Sequence, residues 1–416
     1  MKKRETITIQ LDPQGHLILP PDLMQRYGIR DGATVRLDED STGITISRSS
    51  ANLAKIYIEL TNQCNLTCAT CMRNSWNEPA GWISEATFNR ILADALKLNP
   101  PPTIFFGGFG EPLAHPRFLE MAEKVKRAGL YLEVITNGIL LDKSVSSRLR
   151  ALRVDRLWVS IDGATPESYA DIRLGAELPK VLANLSVLYQ ERGSIRRRPR
   201  LGIAFVAMKR NIQDLPEVIR LGKRLGADQF SISNLLPHSE EMRGEILYRG
   251  SLYSPDMMPS SWSPMLSLPR MDFSSLDAST LAAALRDIHS LTVTRQDLTF
   301  GINTCPFVEK ASLSIRWDGE VSPCLALLHD HIHYLDDTRR EIHACTYGNI
   351  NEQTLIDIWN NPAYVSLREK LVSHDFSPCT FCNSCQMAES NLEDCFGNQH
   401  PTCGGCLWAQ GFIQCP

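Results

Sequence analysis

The chain has 416 residues, 43% of them hydrophobic and 22% charged, with a formal net charge of -4. Such a length exceeds one ordinary core and suits two or three domains of a soluble globular protein. The slightly negative balance excludes a strong overall attraction to nucleic acid or anionic lipid, and no apolar run approaches the ~18–20 residues that span a bilayer.

The opening stretch MKKRETITIQLD begins basic but runs into alternating strand-like residues instead of an apolar signal core, so a cytoplasmic location is expected. Residues 1–50 read as one unit of four strands, ITIQLD, HLILP, ATVRLDED and GITISR, with a Pro-Gln-Gly turn after the first and a short helix before Gly32. This pattern resembles the AbrB-like swapped-hairpin module, in which two chains interleave β-hairpins and often bind DNA. The resemblance implies a homodimer through this domain. Seven Lys/Arg stand against seven Asp/Glu in the segment. Without a basic excess, dimerisation or substrate docking is expected, and DNA binding is not.

Residues 51–237 alternate short apolar runs with amphipathic stretches. KIYIEL, TIFF, YLEVIT, DRLWVSID, RLGIAFVAM and DQFSIS read as strands; the segments between them carry helical i, i+3, i+4 spacing. Six βα-type repeats predict an α/β fold with a parallel sheet, most economically an open, partial (βα)6 TIM-type barrel. Functional residues then gather at the C-terminal ends of the strands. Residues 238–300, rich in Pro, Ser and Met, read as a linker or lid. Residues 301–416 form a Cys-rich C-terminal domain with a hairpin-like ASLSIRWDGEVSPC and one helix over NEQTLIDIWNNPAYVSLREKL.

Thirteen cysteines are the compositional anomaly. Three lie at 64, 68 and 71, ten lie between Cys305 and Cys415, and none falls in the 233 residues between. Cysteines serving as small core residues would scatter; clustered thiols in a long chain without an export signal point to metal or cluster ligands. Cys64-x3-Cys68-x2-Cys71 directly follows the first barrel strand. Thiolates at such short spacings in a loop can wrap an iron–sulfur cubane, and three of them leave one iron open to a small molecule. Zinc is the alternative; it usually takes four ligands, and no fourth Cys or His lies nearby.

This triple is the hallmark of the radical S-adenosylmethionine (SAM) superfamily, and further segments resemble that family in order. FFGGFGEPLAHP supplies Gly107, Gly108, Gly110 and Glu111 after strand two, where the family holds the SAM amino group. VITNG ends strand three with Thr136, Asn137 and Gly138, and WVSIDGATPESYADIR ends strand four with Ser160, Asp162 and Gly163. By the resemblance, Ser160 and Asp162 are candidates for ribose or carboxylate contacts, and Arg173 for the SAM carboxylate. Each of these segments could also be an ordinary strand-end turn. Thr70 departs from the aromatic residue that many members place before the third cysteine. The resemblance implies a [4Fe–4S] cluster on Cys64, Cys68 and Cys71, and reductive cleavage of SAM to methionine and a 5′-deoxyadenosyl radical that abstracts a substrate hydrogen.

The C-terminal domain resembles the SPASM domain, which carries auxiliary [4Fe–4S] clusters. The resemblance implies two of them, drawn from Cys305, Cys324, Cys379, Cys382, Cys385, Cys395, Cys403 and Cys406. The spacing after Cys382 departs from the SPASM pattern, Cys345 and Cys415 are the expected non-ligands with a catalytic or substrate-facing role left open, and zinc in CxxC knuckles stays open. His329, His331, His333 and His343 are expected to solvate a loop, as is the basic run Arg196, Arg197, Arg198 and Arg200. An AbrB-like start, a radical SAM barrel and the ending CGGCLWAQGFIQCP together resemble the radical SAM/SPASM maturases associated with tungsten cofactor oxidoreductases. The expected partners are a protein or peptide substrate, with a tungsten-dependent oxidoreductase or its metallopterin as the candidate, and an electron donor such as ferredoxin or flavodoxin. Two alternatives stay open: a maturase that crosslinks or epimerises a ribosomal peptide, and a metal- or redox-sensing DNA-binding regulator.

Overall fold

The computed structural model describes residues 52–190, 198–253, 305–380 and 385–416 without interruption, together with Pro13, Met271, Asp272 and six short strand segments outside those ranges. Four of these segments lie in the N-terminal unit, one in each expected strand: β1 (Gln10–Leu11) pairs antiparallel with β2 (Leu17–Ile18), and β3 (Val35–Asp40) with β4 (Gly43–Arg48). The expected short helix lies outside the described residues.

The six apolar runs form β5 (Lys55–Ile58), β6 (Thr103–Phe106), β7 (Leu132–Thr136), β8 (Arg156–Ser160), β9 (Arg200–Ala207) and β10 (Ala227–Asn234). Adjacent strands pair in parallel in that order. Helices Glu85–Ala95, Phe118–Arg127, Lys143–Leu152, Leu178–Gln190 and Leu215–Arg224 connect them. Two of these helices are started by side-chain caps, Ser84 accepting from the Thr87 amide and Asp142 from that of Val145. A further helix, Pro166–Ile172, opens on a Thr165/Ser168 capping box.

The sheet is wider than six strands. The segment read as a linker or lid contributes β11 (Leu266–Leu268) and β12 (Leu291–Val293), both parallel, beyond β10. On the opposite side β13 (Ser312–Ile315) pairs in parallel with β5, and β14 (Val321–Ser322) closes the expected hairpin antiparallel to β13. The ten-strand order runs linearly from β12 to β14, an open sheet.

Strand periodicity sorts the core into two sides. Ile56, Ile58, Ile104, Phe106, Leu157 and Val159 pack with Phe88, Met121, Val125, Val181 and Val218 of the helices. The intervening Tyr57, Phe105 and Trp158 turn to the inner face and pack with Phe307, Leu325, Leu407 and Phe412 of the C-terminal region. Residues on both faces are buried, as parallel sheets require, and the C-terminal region fills the inside of the open barrel.

Two expectations for that region are corrected. The single helix over residues 351–371 is two, Leu355–Trp359 and Pro362–Ser373. Pro362 has no amide to continue the first, and the Asn361 side chain caps the second through the Ala363 amide. Three of the four histidines do not solvate a loop: His331 and His333 sit on β15 (His331–Leu335), paired antiparallel with β16 (Thr338–Ile342), and His329, His331 and His333 are all buried, while His343 lies half-buried past β16. Of the basic run, Arg200 begins β9 and pairs with Asp228 at 2.5 Å, while Arg196 and Arg197 lie outside the described residues. Among the described residues no helix is long and apolar enough to cross a membrane.

Candidate active site

Beyond β5 the chain enters the loop that carries the first three thiols. Cys68 is buried, while Cys64 and Cys71 are half-buried. All three line a cavity of ≈ 310 Å³ together with Thr70, Gly108, Gly110, Glu111, Asn137, Ser160 and Arg173. Residues far apart in sequence thus converge at the C-terminal ends of β5 to β8, as the parallel arrangement dictates. Each sulfur faces an N–H group: Asn137 Nδ2 lies 3.7 Å from Cys64, Arg73 Nε 3.3 Å from Cys71 and Arg173 Nη1 4.0 Å from Cys68. Burial pushes the Cys64 and Cys68 thiols up, and the Arg173 guanidinium opposes this most strongly at Cys68.

Glu111 is almost sealed, and its carboxylate ties two strand ends together. Oε1 accepts from the Thr136 hydroxyl at 2.7 Å and the Leu113 amide at 3.1 Å; Oε2 accepts from the Asn137 amide at 2.8 Å. Burial pushes its pKa up against these hydrogen bonds. Oε2 retains acceptor capacity toward the cavity. Gly108 and Gly110 let this loop approach its neighbours: a Cβ on Gly110 would lie 2.0 Å from the Thr61 carbonyl oxygen, and one on Gly108 2.8 Å from Glu59. Gly107 packs beneath, against Ile135 and Phe105. Gly138, at φ +78°, makes the turn after Asn137.

Asp162 does not face the cavity. It is fully buried, accepts from the Val206 amide at 2.7 Å, and receives Arg173 Nε and Nη2, each at 2.7 Å. Its carboxylate is consumed in aiming Arg173, which itself lines the cavity, so a direct ligand contact by Asp162 is replaced by a positioning one. Ser160 lines the cavity as expected.

Several contributors escaped sequence reasoning. Tyr57, Phe105, Phe109 and Ile135 line the cavity's apolar side, and Trp408 and Ile413 join them from the far end of the chain, beside Cys415, one of the two thiols for which a substrate-facing role stays open. Arg73, two residues after Cys71, could have been found as the nearest cation to the triple. Glu59, the last residue of the KIYIE run, accepts from the Phe109 amide at 3.0 Å and bonds His329 Nε2 at 2.9 Å; Glu78 holds His329 Nδ1 at 2.7 Å. Burial works against the imidazolium, but the two carboxylates outweigh it and raise the His329 pKa to about 9. At neutral pH His329 is therefore a buried cation joining the thiol loop, the glycine loop and the C-terminal region.

The remaining thiols separate into groups. Cys305, Cys324, Cys403 and Cys406 line a second, enclosed cavity of ≈ 40 Å³ together with Phe307, Leu327, Leu407, His333 and Arg340. Burial pushes all four thiols up, Cys305 to about 12. Cys379 is buried beside Ser377, Cys385 is half-buried and Cys395 is exposed; Cys382 lies outside the described residues. Cys345 is buried near Tyr347 and away from either cavity. Among the described residues no three Cys, His, Asp or Glu side chains converge as they would on a single ion. The Cys305, Cys324, Cys403 and Cys406 thiols border a cavity instead, with Arg340 beside them.

The chain matches the model of the radical SAM superfamily over residues 58–222 and that of SPASM, an iron–sulfur cluster-binding domain, over residues 305–386. It is 32% identical over 366 residues to the tungsten-containing aldehyde ferredoxin oxidoreductase cofactor-modifying protein of Pyrococcus furiosus, covering 87% of this chain and 96% of that protein. It is 33% identical to the AdoMet-dependent heme synthase of Methanosarcina barkeri over 43% of this chain and 50% of that one. The fold resembles Streptococcus suis SuiB bound to its precursor peptide SuiA (TM-score 0.53, 15% identity, 76% of this chain and 67% of that one). It also resembles anSMEcpe with bound AdoMet (TM-score 0.50, 17% identity, 80% and 87%).

Proposed function

The chain belongs to the radical SAM superfamily, and from that premise we propose that it is a maturase acting on a tungsten-dependent oxidoreductase or its metallopterin cofactor. The carrying observation is a single cavity that gathers the Cys64, Cys68 and Cys71 thiols with Glu111, Asn137, Ser160 and Arg173 at four strand ends. The substrate assignment draws on the relative from Pyrococcus furiosus, similar across most of both chains.

Cys64, Cys68 and Cys71 would hold a [4Fe–4S] cluster, which supplies the electron for reductive cleavage of bound SAM. The chain's own residues do the positioning. Arg173, fixed by Asp162, offers its guanidinium to the SAM carboxylate, a charge-assisted contact that a planar fork suits. Glu111, kept in place by Thr136 and Asn137, turns its remaining acceptor capacity to the ammonium group. Asn137 and Arg73 direct N–H groups at the Cys64 and Cys71 sulfurs, outer contacts that would orient these ligands. Phe105, Phe109, Ile135 and Trp408 keep water from the reacting atoms. Cys305, Cys324, Cys403 and Cys406 would hold one auxiliary cluster, and Cys379, Cys382, Cys385 and Cys395 supply candidate ligands for a second.

Anaerobic reconstitution tests this reading. Iron and sulfide are counted, and 5′-deoxyadenosine is assayed with and without the oxidoreductase and its metallopterin. About twelve irons per chain and deoxyadenosine formation stimulated by that substrate are expected, if each of three clusters holds four irons. Zinc with little iron would reject the clusters, and stimulation only by a small precursor peptide would transfer the substrate to the peptide-maturase reading, which the likeness to the SuiB–SuiA complex favours.

A further inference from the structure

The β15–β16 hairpin turns an unusual face toward the second cavity. His333 and Arg340 are direct cross-strand partners, as are His331 and Ile342. Period-2 alternation sends all four side chains inward, and all four line the space bounded by Cys305, Cys324, Cys403 and Cys406.

Arg340 is 1% exposed. Its Nη1 donates to the Gly405 carbonyl at 2.6 Å and Nη2 to the Ser390 carbonyl at 2.9 Å, two neutral acceptors. Among the described residues its Nε has no partner, and neither has Nε2 of the equally buried His333. A guanidinium cannot shed its proton to escape burial, and an unpaired buried charge is strongly destabilising. Among the described residues Arg340 forms no ion pair, and the Cys379, Cys406 and Cys403 sulfurs favour its charge against its burial. Gly405, between two of the tetrad thiols, has no Cβ where one would lie 2.1 Å from Arg340 Nη1. The guanidinium therefore lies directly against the Cys403–Cys406 loop.

We propose that Arg340 is the built-in countercharge of the auxiliary cluster at Cys305, Cys324, Cys403 and Cys406, and that it raises the reduction potential of that cluster. The proposal rests on reading the tetrad as a cluster site. A cubane with four thiolate ligands is an anion that gains one further negative charge on taking up an electron, and cluster potentials respond to nearby charge and hydrogen bonding. A fixed cation stabilises the reduced state more than the oxidised one, and no proton need accompany the electron.

The test uses the full chain, reconstituted anaerobically, with Arg340→Gln removing the charge and Arg340→Lys retaining it. Iron is counted and each cluster is titrated by EPR against a series of redox mediators. The Gln variant is expected to titrate one auxiliary signal at a more negative midpoint, the Lys variant near the wild-type value, and the SAM-binding cluster unchanged in both. An unmoved midpoint in Arg340→Gln at full iron content overturns the proposal, as do equal shifts in the two variants. Loss of that cluster's iron from Arg340→Gln alone supports it; loss from both variants overturns it, because shape and not charge would then be the requirement. Failure of the underlying reading looks different: wild-type protein would carry no iron beyond the first cluster, and Cys403→Ala would remove no signal.

Discussion

The two thiol sites solve opposite problems. Around Cys64, Cys68 and Cys71 the chain provides three sulfurs, an accessible cavity and one polar N–H per sulfur. Around Cys305, Cys324, Cys403 and Cys406 it provides four sulfurs, an enclosed apolar chamber and a buried guanidinium. A centre that must admit a ligand needs an unfilled corner and room beside it, whereas a fully ligated centre gains from closure and a fixed electrostatic environment.

The largest effect that could break this contrast is at the open site. Replacing Cys64, Cys68 and Cys71 together by Ala should abolish 5′-deoxyadenosine formation while leaving auxiliary iron in place; turnover that survives would remove the distinction. Cys324→Ala should do the reverse, lowering iron by about four per chain while a SAM-induced change in the EPR spectrum of the first cluster persists. Asp162→Asn sharpens the comparison, because it loosens Arg173 without touching a thiol. A loss of ~10–100-fold in SAM affinity is expected, the usual cost of removing an outer partner of a metal-site group, with the iron count unchanged.

Smaller effects probe what joins the sites. Gly110→Ala pushes a methyl group into the Thr61 carbonyl and should cost ~1–3 kcal/mol of stability in denaturant unfolding, as overpacking does. His329 links the thiol loop to the C-terminal region through Glu59 and Glu78. Its folded pKa of about 9 lies above the ordinary 6.5. The added stability is thus complete below pH 6.5 and is lost as pH rises through 9, with a total on the order of 3 kcal/mol. A His329→Gln variant should show a flatter stability profile across that window.

The parallel core and its helices were legible because their signals are local and periodic: KIYIEL, TIFF and the four later runs each became a strand. The thiol triple and the glycine loop, which meet at one cavity, stood out in the sequence through their spacing. What sequence could not supply was the far side of each contact. Nothing in WVSID distinguishes a carboxylate facing a ligand from one that aims Arg173, and the histidines of HIHYL declare a buried strand only once the C-terminal region folds around them. The strands added by residues 266–268 and 291–293 are too short to carry a pattern, and the break at Pro362 was hidden within an otherwise helical stretch.

The pairing of Lys55 with Ser312 in the sheet has a consequence for biogenesis. β5, which precedes the thiol loop, lacks one of its two neighbours until the ribosome has released the chain beyond residue 315. Until then its outer amide and carbonyl groups form an unpaired edge, open to adventitious association. The strand that leads into the first thiol loop thus completes its pairing only when the distal part of the chain has arrived.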